Sequence, residues 1–166
     1  QLPLIQEILA ALGYAVVGCE GFEGDDILGT LSSACEQNGE DCVVVSGDRD
    51  CLQLVTDKVS VELVRTKDNT LYTPEIFFAE YGFSPEHMID LKGLMGDSSD
   101  NIPGVAGIGP KTATSLLLEY GTLDGIYEHL PEIKESVRKK LEKDREQAYL
   151  SYDLATIRKN APVDFV

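Results

Sequence analysis

The hydrophobic patterning changes character at Thr73, and that change limits the chain to two unlike halves. Before it, helical spacing alternates with short β-branched runs; after it, helical spacing alone remains. Leu2, Leu4, Ile5, Ile8, Leu9 and Leu12 recur at helical intervals, Gly13 closes that helix, and Tyr14–Val17 follows as a short apolar run of strand type. A second helix is expected from about Asp25 to Gln37, with Ile27, Leu28, Leu31 and Ala34 on one face and Gly39 as its stop. "DCVVVS", Asp41–Ser46, has the continuous β-branched run of a strand buried on both faces, as in parallel sheets. A short helix over Asp48–Leu54, a strand over Val59–Arg65 and a "KDNT" turn before Leu71 and Tyr72 complete this half. In the second half, "TPEIFFAEYG" and "SPEHMIDLKGLMG" each join a hydroxyl N-cap, a proline at the first helical position, an early glutamate and a closing glycine. No low-complexity linker or internal repeat separates the halves, so two lobes in close contact are expected.

Three acidic clusters punctuate this framework. "EGFEGDD" holds Glu23, Asp25 and Asp26 where the first strand-type run gives way to a helix; "VVVSGDRD" holds Asp48 and Asp50 just past the apolar strand; "GDSSD" holds Asp97 and Asp100. One such cluster is equally a helix N-terminus whose acids complement the macrodipole. In open parallel sheets, however, residues just past the carboxyl ends of strands gather along one ligand-binding rim, and two of the clusters belong there. Seven carboxylates converging without a cation would repel one another and have raised pKa values. Hard divalent cations answer that, and Mg²⁺ or Mn²⁺ suits an all-carboxylate set better than zinc, which favours His or Cys. His87 and His129 lie far from the clusters in sequence and read as surface helix residues. Two metals about 4 Å apart would clamp a phosphodiester, activating water on one side and stabilising the leaving oxygen on the other.

The net charge of −15 over 166 residues runs against the basic footprint expected of a nucleic-acid binder, and metals at the clusters would remove much of that objection. A second phosphate feature follows them. "GVAGIGPKTATSLLLEYG" runs from a tight turn, Gly104–Gly109, into a helix from about Pro110 to Tyr120. Pro110 breaks the P-loop spacing, no strand precedes the turn, and the Rossmann glycine order is absent. What remains is helix, glycine hairpin, helix, whose exposed amides can hold a backbone phosphate without reading bases, with Lys111 adding charge. A plain helix connector is the other reading, although three glycines in six residues exceed what a connector needs.

Lys139, Lys140 and Lys143 crowd one stretch near the end, read as a solvated helix face or as extra backbone contacts. With no Trp and 7% aromatics, a stacking platform for single strands is not evident. Cys19, Cys35, Cys42 and Cys51 form no C-x-x-C pair and read as free buried thiols, which suits a reducing compartment. No apolar run approaches the ~20 residues that span a bilayer, and no signal-peptide pattern opens the chain. The chain begins at Gln1, already inside a helix, and reads as a piece of something longer.

Taken together, "EGFEGDD", "VVVSGDRDCLQLV" and "LMGDSSDNIPGVAGIGPKTA" resemble the 5′-nuclease domains of bacterial DNA polymerases I, in the flap endonuclease superfamily, in order along essentially the whole chain. The terminal "LSYDLATIRKNAPVDF" is similar to the end of that domain. The resemblance implies a PIN-like α/β core with a mainly parallel sheet, incomplete here, over residues 1–83. It also implies an all-helical subdomain with a helix-hairpin-helix motif over residues 84–166. By position it implies that Glu23, Asp25 and Asp26 serve a first metal and Asp48, Asp50, Asp97 and Asp100 a second, with Asp25, Asp48, Asp50 and Asp100 the catalytic set. It further implies duplex contacts from Gly104, Gly107, Ile108, Gly109, Lys111 and Thr112, and a K⁺ ion at the hairpin. The implied activity is Mg²⁺- or Mn²⁺-dependent hydrolysis near 5′ flap–duplex junctions in primer removal and repair. Implied partners are nicked or branched DNA, RNA primer–DNA hybrids and a polymerase domain downstream, in a bacterial, nucleoid-associated cytoplasmic setting. The competing readings are a duplex-binding fragment that no longer cuts and a phosphatase using Asp48 and Asp50 as a D-x-D pair, which leaves the hairpin unexplained. Two departures from the family pattern stand out. Gly24 replaces a more usual alanine, and the family's first strand, two earlier aspartates and basic helical arch would precede Gln1.

Overall fold

The computed structural model describes residues 1–163, so Asp164 and Phe165 of the terminal motif lie outside the described residues. β1 (Cys42–Ser46) and β2 (Val59–Leu63) pair in parallel, with Cys42 opposite Val59 and Ser46 opposite Leu63. β3 (Thr70–Tyr72) turns back antiparallel on β2, giving the order β1-β2-β3. In β2 the alternation is clean: Val59, Val61 and Leu63 point into the core and the residues between them point out. β1 departs from the expectation of burial on both faces, because Val44 is buried while Val43 and Val45 are 57% and 58% exposed. As an edge strand it packs one face inward, and no described element covers the other.

The apolar run Tyr14–Val17 is not a strand in the structure. A strand persists only where its amides and carbonyls meet a neighbouring ladder, and the one such bond recorded at its start runs from the Tyr14 amide back to the Leu9 carbonyl. The preceding α1 (Leu2–Ala11) is helical as its spacing predicts, yet buries none of its residues.

α2 (Gly24–Gln37) leads to β1, and the residues after β1 form a 3-10 turn, Arg49–Leu54, instead of a regular helix. That turn is the floor of the core: Cys51, Leu52, Gln53 and Leu54 are all buried. α3 (Pro74–Tyr81) begins where the Thr73 hydroxyl accepts from the Ile76 amide and ends at Gly82, whose φ of 80° only glycine adopts easily. A 3-10 turn over Pro85–His87 feeds α4 (Met88–Met95), the central helix. α5 (Pro110–Tyr120), α6 (Leu123–Glu128) and α8 (Arg145–Ala155) pack on it, and α7 (Glu135–Lys143) packs on α8. α4 and α8 cross closely because Gly93 has no side chain; a Cβ there would stand 3.3 Å from both the Ala148 carbonyl and Tyr152 Cβ. One hydrophobic cluster runs from Val44 through Phe77, Leu94 and Ile126 to Ile157, joining both halves of the chain. All four cysteines are free, as expected, but only Cys51 is buried; Cys19, Cys35 and Cys42 are half-buried.

Candidate metal centre

Asp48 and Asp50 stand just past the carboxyl end of β1, where the chain turns to enter the 3-10 turn. The turn is built by the acids themselves: the Asp48 amide donates to Ser46 Oγ at 3.0 Å, and Asp48 Oδ1 accepts from the Asp50 amide at 2.9 Å. This leaves the Asp50 side chain aimed at α4.

The facing wall is the loop after α4. Gly96 closes the helix with φ 71° and Gly104 has φ 62°. A Cβ on Gly96 would meet the Ile102 carbonyl at 2.5 Å, and one on Gly104 would meet the Gly96 amide at 2.2 Å. The loop can therefore fold back on itself only with glycine at both positions. Between them Asp97 and Ile102 exchange backbone hydrogen bonds at 2.8 Å each, and Asn101 takes φ 56°. Asp97 Oδ1 accepts from the Ser99 amide and hydroxyl, which turns its other oxygen inward.

These two loops bring Asp50, Asp97 and Asp100 together, one carboxylate oxygen from each lying within 4.8 Å of the others. Lys92, 6% exposed, places its ammonium among them: Nζ bonds Asp50 Oδ1, lies 2.8 Å from Asp97 Oδ2 and 3.8 Å from Asp100 Oδ2. The electrostatics follow. Donation from Lys92, then from Ser99, holds the Asp97 carboxyl down at about 2. Burial pushes Asp50 above the usual carboxylate range, with Lys92 acting against it. Burial also opposes the Lys92 charge, but Asp50 and Asp97 outweigh it and the ammonium is held above its ordinary value.

The first acidic group is arranged differently. Asp25 and Asp26 open α2, and Asp26 Oδ2 accepts from the Glu23 amide at 3.2 Å. Its other oxygen accepts from the Arg158 amide at 2.8 Å, so both oxygens are held by backbone. Asp25 accepts from the Asp26 amide at 2.9 Å and is raised by burial, with the Asp26 and Asp48 charges adding to the shift. Glu23, Asp25, Asp26, Asp48, Asp50 and Asp100 line a single cleft of about 520 Å³. Asp97 borders the adjoining cleft with Asp48, Asp50 and Asp100. All seven carboxylates singled out in the sequence thus share one rim, but among the described residues only Asp50, Asp97 and Asp100 form a tight ligand-like group.

The hairpin residues divide. Gly104 and Ile108 are buried, Gly107, Gly109 and Lys111 are exposed, and Thr112 is half-buried. The Gly104 amide donates to Ser151 Oγ at 2.9 Å and the Ala106 amide to Asp144 Oδ2 at 3.0 Å, while Lys140 Nζ donates to the Gly107 carbonyl at 2.9 Å. Gly104 and Ile108 are therefore part of the hairpin's support, not of its face. At the start of α5 no side chain caps the helix at Gly109, so its first amides face outward beside Lys111. Lys140, read from sequence as solvated or DNA-facing, is a brace of the hairpin. Sequence reasoning missed Lys92, Ser151, Asp144 and the Arg158 amide. Lys92 alone left a trace, a lysine at a core position of "MIDLKGLMG". His87 pairs with Asp90 at 3.0 Å and His129 caps α6, both away from the acids.

A family model described as the 5′-3′ exonuclease N-terminal resolvase-like domain matches residues 1–82, and one described as the 5′-3′ exonuclease C-terminal SAM fold matches residues 83–166. The chain belongs to the 5′-3′ exonuclease family. The DNA polymerase I of Bacillus caldotenax is 47% identical over 99% of this chain, and the thermostable DNA polymerase I of Thermus filiformis is 44% identical over the same share. In each case the chain spans 19% of the relative's length. Among solved structures, a T5 5′-exonuclease with bound divalent zinc ions superposes with a TM-score of 0.77 at 26% identity, covering 89% of this chain and 54% of the other. A T5 flap endonuclease solved in a pseudo-enzyme-product complex with DNA and metal ions superposes with the same TM-score, 0.77, at 25% identity. The mixed α/β core with a helical second half is the fold of this family.

Proposed function

We propose that this chain is the acidic rim and duplex grip of a divalent-metal-dependent, structure-specific 5′ nuclease that hydrolyses phosphodiesters near 5′ flap–duplex junctions. The observation that carries this is the convergence of Asp50, Asp97 and Asp100 from two loops beside Asp48, Asp25 and Glu23 in one cleft. The donors are all carboxylate, which fits Mg²⁺ or Mn²⁺. Bound there, divalent ions would supply water activation and neutralise charge on the leaving oxygen. Asp50, Asp97 and Asp100 would hold one ion, and Asp25 and Glu23 would contribute toward another. Asp26, with both oxygens engaged, orients the start of α2.

The helix start at Gly109–Thr112 would hold a phosphate of the same duplex, with Lys111 beside it. A K⁺ ion at the hairpin belongs to this reading, although the Lys140 ammonium already takes the Gly107 carbonyl and the ion would have to share or displace it. Residues 1–83 and 84–166 would form the two lobes. The substrates would be 5′-flapped, nicked or branched DNA and RNA primer–DNA hybrids. In the parent chain a polymerase domain would follow, in the bacterial cytoplasm at the nucleoid.

The test is a 5′-labelled flap duplex incubated with this chain and Mg²⁺, next to the Asp50→Asn, Asp100→Asn variant. Cleavage at the junction that the variant lacks supports the nuclease; equal cleavage by both contradicts it. A second reading, duplex binding without cutting, is favoured by the looser Glu23, Asp25, Asp26 group. It predicts flap retention in a gel shift with no product.

A further inference from the structure

Lysine is seldom buried unless paired, because desolvating its ammonium is costly. Lys92 is 6% exposed, and its backbone belongs to α4, which packs against α8, α5 and the Arg49–Leu54 turn. Its side chain has three carboxylate partners, Asp50, Asp97 and Asp100, which are the same three whose oxygens converge within 4.8 Å. The ammonium already sits on oxygens that a divalent ion would need, and at such separations a monovalent and a divalent cation repel strongly.

Resting on the metal reading above, we propose that Lys92 is the built-in counter-cation of the Asp50, Asp97 and Asp100 carboxylates and competes with the divalent ion for them. It is a positioning residue with two effects. It keeps the three acids from repelling one another apart while no metal is bound. It also weakens metal binding, so that the ion at this site exchanges readily. A lysine that merely glued two loops together would have no reason to face the whole ligand-like group.

The test is an electron paramagnetic resonance count of free Mn²⁺ during titration of the full chain, wild type beside Lys92→Met and Lys92→Arg, with thermal melts in EDTA. Lys92→Met should bind Mn²⁺ about tenfold more tightly or better and melt lower without metal, the melting gap closing as Mn²⁺ is added. Lys92→Arg, which keeps the charge, should stay within about threefold of wild type. Equal or weaker Mn²⁺ binding by Lys92→Met overturns the proposal while leaving the metal reading intact. Absence of Mn²⁺ binding by both proteins overturns the metal reading and this proposal with it. Should Lys92→Met not fold, the wild-type Lys92 ammonium resonance in a ¹⁵N spectrum decides. Loss or a large shift on saturation with Mg²⁺ is expected; an unchanged resonance contradicts the competition.

Discussion

At the scale of single residues, two glycines of α2 show how position decides the sign of one substitution. Gly24 opens the helix, and a Cβ there would meet nothing within 4 Å. Gly24→Ala is expected to stabilise by about 0.4–1 kcal/mol by restricting the unfolded chain. Gly29 lies five residues on, where a Cβ would stand 2.6 Å from Ile157 Cγ2 and 3.2 Å from the Arg158 carbonyl. Gly29→Ala should destabilise by about 1–3 kcal/mol despite alanine's better helix propensity. Urea midpoints of the two variants check both; stabilisation by Gly29→Ala would show that the 156–161 segment does not press on α2. The acids of the Asp48–Asp50 and Asp97–Asp100 loops were legible singly, since each cluster is local in sequence. Their pairing with Lys92 was not, because a side chain forty-two positions from Asp50 reaches it only through the packing of α4.

At the scale of elements, the helices of the second half were readable because caps and stops are local: Thr73 and Gly82 bound α3 as their residue types predict. Tyr14–Val17 failed for the opposite reason. Strand formation needs a neighbour, and apolar character alone supplies none. The residue that ties α6, α7 and α8 together is Tyr127, whose hydroxyl donates to the Leu141 carbonyl at 3.0 Å and whose ring stacks on Tyr149 at 5.4 Å, with the Arg145 guanidinium 5.0 Å from the ring centre. Burial, with Tyr149 adding to it, pushes its phenol up to about 12 from 10.0. The unfolded chain releases this proton near pH 10 and the folded chain holds it to about pH 12. The contribution is thus whole below pH 10 and lost as the pH rises from there through 12. Tyr127→Phe should be less stable by about 1 kcal/mol at pH 8 and should lose less stability than wild type between pH 8 and about 11. Denaturant midpoints at the two pH values decide it, and an equal loss in both proteins would assign the alkaline sensitivity to other tyrosines.

At the scale of the whole molecule, the two halves share one core, and that continuity sets the Asp48–Asp50 loop against the Asp97–Asp100 loop. The sequence carried only part of this arrangement: Asp48 and Asp50 follow the parallel strand β1 as read, whereas the Glu23 group follows no strand and the Asp97–Asp100 loop follows a helix. The brace on the hairpin was not legible, because Asp144, Lys140 and Ser151 reach it from the far end of the chain. On the proposed reading the same assembly would separate metal binding from duplex binding. Lys111→Ala should weaken binding to any duplex sequence alike and lower the salt slope by about one, leaving Mn²⁺ binding unchanged. A sequence-dependent loss in a fluorescence titration would mean that Lys111 reads bases. The central claim, that the rim acids form a divalent-ion site, is tested most directly by calorimetric Mn²⁺ titration of the chain beside the Asp50→Asn, Asp100→Asn variant. Saturable binding in the wild type and none in an equally folded variant is the predicted result. The same heats in both proteins, or none in the wild type, would contradict it.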